Sequence, residues 1–369
     1  PTSPRRPEGS GRRLRAAIIG VGLIGGSIGL AARERLAADV TGWDPSREAL
    51  DAACRLGALD RAAATLEEAV ADAEVVFVAA PVRALPRLVA AALAAAPADC
   101  VVTDVGSTKR SVVACTGDPR FVGGHPLAGA ETAGVEHARA DLFHEAVWYL
   151  TPTEQATGEL FERLHRVVRG LGARPTAIDA ATHDTMLAAV SHLPHVVANV
   201  LVAQAAGALG EETGQLPATG PSFRDATRVA GANSAIWTDI YLSNRDALIE
   251  RIDDAIERLV AVKGALADGD ADAVTAWNDA AADDRRRLLE AQLAGGPLHE
   301  LRVSVPNEPG VIARLALELG RAGVNIVDMA LYPAPDHSEG VVALWIAGDE
   351  PARRTLTLLG EQGFPVAHA

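Results

Sequence analysis

Between Leu14 and about Ala181, short apolar runs alternate with stretches whose apolar residues recur every three or four positions. The runs are Leu14–Gly20, Val40–Trp43, Val75–Ala80, Val101–Val105, Phe121–Gly123, Val147–Leu150 and Arg174–Ile178. This alternation predicts a mostly parallel sheet with helices on both faces. From about Thr182 to Ala294 the strand pattern vanishes and helical periodicity takes over, with breaks near Gly210–Pro221 and Asp268–Asp270. Gly295, Gly296 and Pro297 read as a linker. Beyond them Leu301, Val303 and Val305 alternate as a strand, and Pro309 with Gly310 opens a helix to about Arg321. Val324–Leu331 and Gly340–Ile346 are strands; a helix from about Pro351 and a short strand near Phe364–Ala367 follow. That order, βαββαβ, is a ferredoxin-like unit. The expected division is a disordered tail over residues 1–13, an α/β domain over 14–181, a helical domain over 182–294 and a third unit over 298–369.

Composition narrows the function classes. The chain has 369 residues and is 49% hydrophobic, enough for two or three cores. A formal net charge of −14 argues against a nucleic-acid surface. The cations are nearly all arginine; lysine occurs only at Lys109 and Lys263, which reads as a bias of base composition. Cys54, Cys100 and Cys115 have neither disulfide nor metal-ligand spacing and read as free thiols in a reducing cytoplasm. No apolar run looks long enough to cross a bilayer; the best, Val196–Leu209, is interrupted by Asn199 and Gln204. Residues Pro1–Arg13 lack the apolar centre of a signal peptide.

The most informative local pattern is Gly20-Val21-Gly22-Leu23-Ile24-Gly25, which follows a strand and opens a helix. In a Rossmann-like domain the first glycine makes the tight turn. The second lets the backbone approach a pyrophosphate, and the third lets helix and strand pack closely. The helix N-terminus then offers free N–H groups to the phosphates. Asp44 ends the second strand, 24 positions after Gly20, where an acid binds the ribose hydroxyls. A carboxylate there repels a 2′-phosphate, so the expected cofactor is NAD. The alternative is a turn that binds nothing, with Asp44 capping the next helix before Pro45.

Beyond the generic fingerprint, five segments occur in order. They are Gly22-Leu23-Ile24-Gly25-Gly26-Ser27, Asp104-Val105-Gly106-Ser107-Thr108-Lys109, Gly123-Gly124-His125-Pro126-Leu127-Ala128-Gly129, Ser191-His192-Leu193-Pro194-His195 and Phe223-Arg224-Asp225-Ala226-Thr227-Arg228. Over roughly Leu14–Leu293 the chain thereby resembles the prephenate/arogenate dehydrogenase family of tyrosine biosynthesis. It departs from the family at Thr108, where an apolar residue is expected, and at Ala130 before Glu131. The C-terminal unit resembles an ACT domain through Val305-Pro306-Asn307-Glu308-Pro309-Gly310-Val311 and Gly323-Val324-Asn325-Ile326.

The resemblance implies a cyclohexadiene substrate with a ring hydroxyl, a ring carboxylate and a three-carbon side chain. Hydride leaves the hydroxyl-bearing carbon, the hydroxyl proton leaves, and loss of CO2 makes the ring aromatic. Such chemistry needs a base, a cationic carboxylate clamp and placement over the nicotinamide. His125, in a loop after a short strand, is the expected base, since a free imidazole titrates near pH ~6.5. Ser107 is placed to hold one of its ring nitrogens, or to cap a helix. Arg228 is the expected clamp for the ring carboxylate, on a helix capped by Ser222. His192, His195 and Asn199 share a helical face, and Pro194 should kink or restart the helix between them. The resemblance puts His195 on the substrate side chain with His192 beside it. A metal at this His-x-x-His is disfavoured, because no carboxylate stands in the adjoining turn. Glu131 is a further substrate-binding candidate. Trp237, with Ile236, Ile240 and Tyr241, reads as helix core, and His137, His144 and His165 as surface.

The resemblance further implies that the helical domain forms a homodimer, with the site between it and the dinucleotide domain. In the ACT-like unit, backbone groups at Gly310 and Gly323 with Asn325 are candidates to bind L-tyrosine, the end product, as a feedback effector. Arogenate dehydrogenase is the near alternative to prephenate dehydrogenase. A β-hydroxyacid dehydrogenase wants a motif lysine, and only Lys263 is available in the helical domain. A catalytically silent amino-acid sensor is the rival from another class.

Overall fold

The computed structural model describes residues 13–129, 132–207, 218–293, 297–334 and 339–369. Most of the expected tail, residues 1–12, lies outside them. The first sheet is built from short, nearly continuous apolar runs, the signature of strands buried on both faces. It comprises β1 (Arg15–Ile19), β2 (Asp39–Trp43), β3 (Arg61–Ala62), β4 (Val75–Val78) and β5 (Val101–Asp104) in the order β3-β2-β1-β4-β5. All its pairings are parallel. Its helices are α1 (Leu23–Arg35), α2 (Arg47–Leu56), α3 (Leu66–Val70), α4 (Leu85–Ala95) and α5 (Arg110–Val113). Local chemistry sets their ends: the Ser46 side chain caps α2, and Gly57 closes it at φ +80°.

The pattern read as one mostly parallel sheet is in fact interrupted. β6 (Val122–Pro126), β7 (Val147–Pro152) and β8 (Arg174–Ala177) form a separate three-stranded sheet, joined to the first by the single bridge Val102–Phe121. Within it β6 runs antiparallel to β7 and β7 parallel to β8. Strand direction leaves no trace in hydrophobic periodicity, and the two-residue β3 is too short to show one. Helix α6 (Gly158–Gly170) precedes β8.

The helical segment begins with α7 (Ala180–Leu187), a π-helical turn over Ala188–His192, and α8 (Leu193–Gly207). Pro194 stands where the π turn gives way to α8, so the helix restarts there without leaving its course. Together these form one 28-residue helix whose most apolar 18-residue stretch has a mean hydropathy of 1.6, long and apolar enough to cross a membrane by length and composition. That corrects the expectation that no such run exists. Helices α9 (Pro221–Thr227), α10 (Ser234–Ser243), α11 (Arg245–Asp268) and α12 (Ala271–Leu293) follow. Gly220, not Ser222, stands at the N-cap of α9. Val190, Val200, Leu201, Ile256, Leu259 and Val260 lie exposed on these helices.

The C-terminal unit has the expected βαββαβ order. It comprises β9 (Leu298–Pro306), α13 (Val311–Arg321), β10 (Ile326–Pro333), β11 (Glu339–Ala347), α14 (Asp349–Glu361) and β12 (Val366–His368), with the antiparallel sheet ordered β10-β11-β9-β12. It is not a free module behind a linker. One apolar cluster runs from Ile28, Phe143 and Trp148 through Leu164 to Ile312 and Ile346. Glycines allow the approach. A Cβ on Gly310 (φ +84°) would sit 2.2 Å from the Glu154 carbonyl oxygen, and one on Gly320 2.0 Å from that of Ala177. Thr176 donates a 2.9 Å hydrogen bond to Asn325, and Arg169 pairs with Asp328.

His165 lies in this seam and is buried, contrary to its reading as a surface residue. Helix α6 buries a second face against the C-terminal unit, so the side that looked solvated is covered. Neither ring nitrogen of His165 finds a hydrogen-bond partner of good geometry. Burial pushes its pKa down to about 4, with the nearby Ile326 backbone opposing the shift and the Arg169 charge adding to it. The unfolded chain therefore binds a proton here that the folded chain refuses. Stability from this site is full above pH ~6.5 and falls as pH drops toward 4, by up to about 3 kcal/mol. His165→Phe is expected to flatten urea-denaturation stability over that window; an unchanged acid slope would refute the assignment.

Candidate active site

The glycine turn has the geometry a dinucleotide needs. Gly20 adopts φ +96°, and a Cβ there would lie 2.2 Å from the Ala79 carbonyl oxygen. A Cβ on Gly25 would lie 2.0 Å from that of Gly20, so the turn and α1 pack through bare backbone. A Cβ on Gly22 would meet nothing within 4 Å, leaving the backbone open to a pyrophosphate. No side chain caps the helix that begins at Leu23 and Ile24, and no acid stands in its first turn. Asp44 does not cap α2. Its Oδ2 accepts the Val21 N–H and its Oδ1 the Ser46 N–H, each at 2.8 Å. It braces the turn and keeps one lone pair on each oxygen for a ribose hydroxyl. The residues present fit NAD.

His125 lies within β6 rather than in a loop after it, paired with Tyr149 of β7, and is largely buried. Its Nδ1 is 2.9 Å from His183 Nε2 on α7. The Nδ1 of His183 is 2.8 Å from Asp184 Oδ1. The Asp184 carboxylate also accepts the Lys109 N–H at 2.7 Å and the Arg110 N–H at 2.9 Å. Burial alone would raise the Asp184 pKa; the hydrogen bonds from His183 and these two amides outweigh it, and the net shift is down. Burial lowers the His125 pKa well below 6.5, and the His183, Lys109 and His192 charges add to the shift. The imidazole is therefore neutral, as a base must be. Ser107 makes no hydrogen bond to His125 and caps no helix; His183 holds the nitrogen that Ser107 was expected to hold.

A second layer fixes the strand that carries His125. Lys109 and Asp104 are fully buried and paired. Lys109 Nζ donates to the Gly124 carbonyl at 2.6 Å, while Asp104 accepts the Gly124 N–H at 3.1 Å and the Gly106 N–H at 2.8 Å. The N–H and the C=O of Gly124, the residue before the base, are thus both held. His183, Asp184, Asp104 and Lys109 went unassigned by sequence reasoning. The signal was present in Lys109, one of two lysines in an arginine-rich chain. A compact ammonium fits this enclosure where a planar guanidinium does not.

The π turn widens the helix at His192, whose Nδ1 lies 3.2 Å from Asn244 Nδ2; the same Asn244 group donates to the Asp184 carbonyl at 2.7 Å. π turns recur at functional sites. Burial lowers the His192 pKa to about 4. His192 is thus tied into the frame around Asp184. His195 stacks on Trp237 with ring centroids 3.4 Å apart. Its pKa is lowered, by burial first and by the Arg228 charge among the rest, which brings Arg228 into the same neighbourhood. Of the group read as helix core, only Ile240 is buried; Ile236 is exposed and Trp237 serves His195. Helical spacing reveals a shared face, not what covers it. Asn199 Oδ1 accepts the Gly231 N–H at 3.1 Å. Glu131 lies outside the described residues.

In the C-terminal unit, Gly310 and Asn325 face the cofactor domain and are used in docking, while Gly323 stays open. A cavity of about 600 Å³ lies between Thr157, Glu159 and Glu162 of the α6 region and Asn307, Glu308 and Tyr332 of the C-terminal unit, lined by none of Gly310, Gly323 and Asn325.

The chain is similar to known proteins along most of its length. Residues 28–177 match the family described as prephenate dehydrogenase, nucleotide-binding domain; residues 179–278 match prephenate dehydrogenase, dimerization domain; residues 299–363 match the ACT domain. The prephenate dehydrogenase of Bacillus subtilis (strain 168) is 32% identical over 347 residues, covering 91% of this chain and 93% of its own. A crystal structure of prephenate dehydrogenase from A. aeolicus, in complex with hydroxyphenyl propionate and NAD+, superposes with a TM-score of 0.70 at 27% identity, covering 76% of this chain and 100% of that one. The structure of Synechocystis arogenate dehydrogenase gives a TM-score of 0.65 at 26% identity, covering 74% and 100%.

Proposed function

Because the chain belongs to the prephenate dehydrogenase family and is an NAD-dependent dehydrogenase, we propose that its substrate is prephenate, converted to 4-hydroxyphenylpyruvate and CO2 in tyrosine biosynthesis. The observation that carries the mechanism is a neutral, buried His125 whose Nδ1 is held by His183 and whose Nε2 has no partner within the described residues. Bound NAD+ supplies the hydride acceptor. His125 Nε2 takes the ring-hydroxyl proton as the carbon–hydrogen bond breaks toward the nicotinamide. The bond to the ring carboxylate then breaks, its electrons enter the ring, and CO2 leaves. The proton returns from His125 to the oxygen of the aromatic product, so no net proton stays on the protein.

Arg228 is the proposed clamp for the ring carboxylate, and His195, backed by Trp237, the contact for the side chain. Ser107 is left to face the substrate hydroxyl from the loop after β5. The exposed valines, leucines and isoleucines of α8 and α11 support a soluble homodimer in which a second copy covers them. For the effector we favour the cavity beside α6. Its acidic rim of Glu159, Glu162 and Glu308 suits the ammonium of L-tyrosine, and Tyr332 suits its ring.

The test is NADH formation by the purified protein with prephenate or arogenate, each with and without tyrosine. Turnover of prephenate exceeding that of arogenate by at least about tenfold in kcat/KM, suppressed by tyrosine, is expected. Preference for arogenate would reassign the substrate, and indifference to tyrosine would remove the effector.

A further inference from the structure

We propose that His183, anchored by Asp184, fixes the tautomer of His125 and takes over positive charge when His125 accepts a proton. The inference rests on His125 being the base. It follows from counting donors and acceptors inward from Asp184. This carboxylate accepts two backbone N–H groups, so it is ionised and only accepts. The Nδ1 of His183, 2.8 Å away, must therefore carry a proton and donate it. Neutral His183 then presents a lone pair at Nε2. His125 Nδ1, 2.9 Å from that lone pair, must carry the proton between them. One tautomer of His125 remains, with Nε2 unprotonated and ready for a substrate hydroxyl. An ionised acid two residues removed from the reaction thus decides which nitrogen is basic.

The same line of bonds can move a proton. When Nε2 of His125 gains the substrate proton, its Nδ1–H bond can break as a new N–H bond forms on His183 Nε2. His183 then carries both ring protons beside the Asp184 carboxylate, and His125 is neutral again. The reverse transfer restores the starting state, so protons balance. The surroundings make this relocation useful. His125 faces the charge of Lys109, which opposes a cation on its ring. His183 faces Lys109 as well, but also Asp184 and Asp104. Positive charge is better accommodated one ring further from the substrate. His183 is a positioning residue in this scheme, since it touches His125 and not the substrate.

The experiment compares His183→Leu with His183→Gln, whose side-chain oxygen can still accept from His125 Nδ1. With the leucine, kcat for prephenate is expected to fall about 100-fold while KM changes less than about threefold, and glutamine is expected to recover at least about a tenth of the wild-type rate. Unchanged NAD affinity shows that a variant is folded. Should the leucine variant lose NAD binding, His183→Phe, which keeps the ring volume, takes its place. An apolar variant within about threefold of wild-type kcat overturns the proposal, and so does a glutamine variant as impaired as the leucine. His125→Asn separates the two levels. If it keeps turnover, the base assignment fails; if it is dead while His183→Leu is active, only the tautomer lock fails.

Discussion

Replacing His125 with asparagine is expected to lower kcat by about 10²–10⁴-fold while leaving NAD affinity within about twofold and substrate affinity nearly unchanged. Asparagine fits the space and keeps a donor for His183, so β6 should hold its register. What it lacks is a lone pair of useful basicity where Nε2 stood. The loss should therefore appear in kcat and kcat/KM together, as for an interaction made only in the transition state. The pH profile gives a companion readout. Burial and the His183, Lys109 and His192 charges hold the His125 pKa well below 6.5. The neutral, active form thus persists below pH 6.5, and the acid limb of kcat/KM belongs on that side. Turnover near wild type in the variant would end the assignment of His125 as base.

Removing the Lys109 ammonium should have the largest effect on stability. In Lys109→Met the fully buried Asp104 carboxylate loses its counter-charge and the Gly124 carbonyl loses its donor. A buried charge stripped of its partner costs about 3–5 kcal/mol. The Gly106 and Gly124 amides still reach Asp104, which places the expectation at the lower end of that range. Adding Asp104→Asn to Lys109→Met should recover part of the loss, because the stranded charge disappears. Urea unfolding of the single and double variants measures that coupling. A single variant costing under about 1 kcal/mol, or a double variant worse than the sum of its parts, would show that the pair does not hold β6.

The sequence exposed what is encoded locally. Glycines at 20, 22 and 25, with an acid at 44, describe a turn and its brace within one βαβ unit. The change of period near residue 182 and the βαββαβ pattern after residue 297 are equally local. The partners of the base were not legible, because they depend on how distant segments meet. His183 lies 58 positions from His125, and the Lys109 amide 75 positions from Asp184. On a helix, His183-Asp184 looks like any polar pair. Lys109 was conspicuous in an arginine-rich chain, yet composition alone cannot say that a lysine is enclosed. His165 and Trp237 were misplaced for a related reason: periodicity marks a face but does not name its neighbour. The docking glycines were hidden too, since a glycine needed for close approach resembles one needed for a turn.

Those glycines also bear on how such a chain can be assembled by recombination. The C-terminal unit meets the cofactor domain backbone to backbone, at the carbonyls of Glu154 and Ala177, with Gly158 left bare against Ile312. A cut at the Gly295-Gly296 junction would carry away only half of that fit. Transplanted to a dehydrogenase with side chains at these points, the unit would be tethered but unseated. The piece that can be exchanged between enzymes is larger than the ACT domain alone: it includes α6 and β8, and its boundary lies within the cofactor domain.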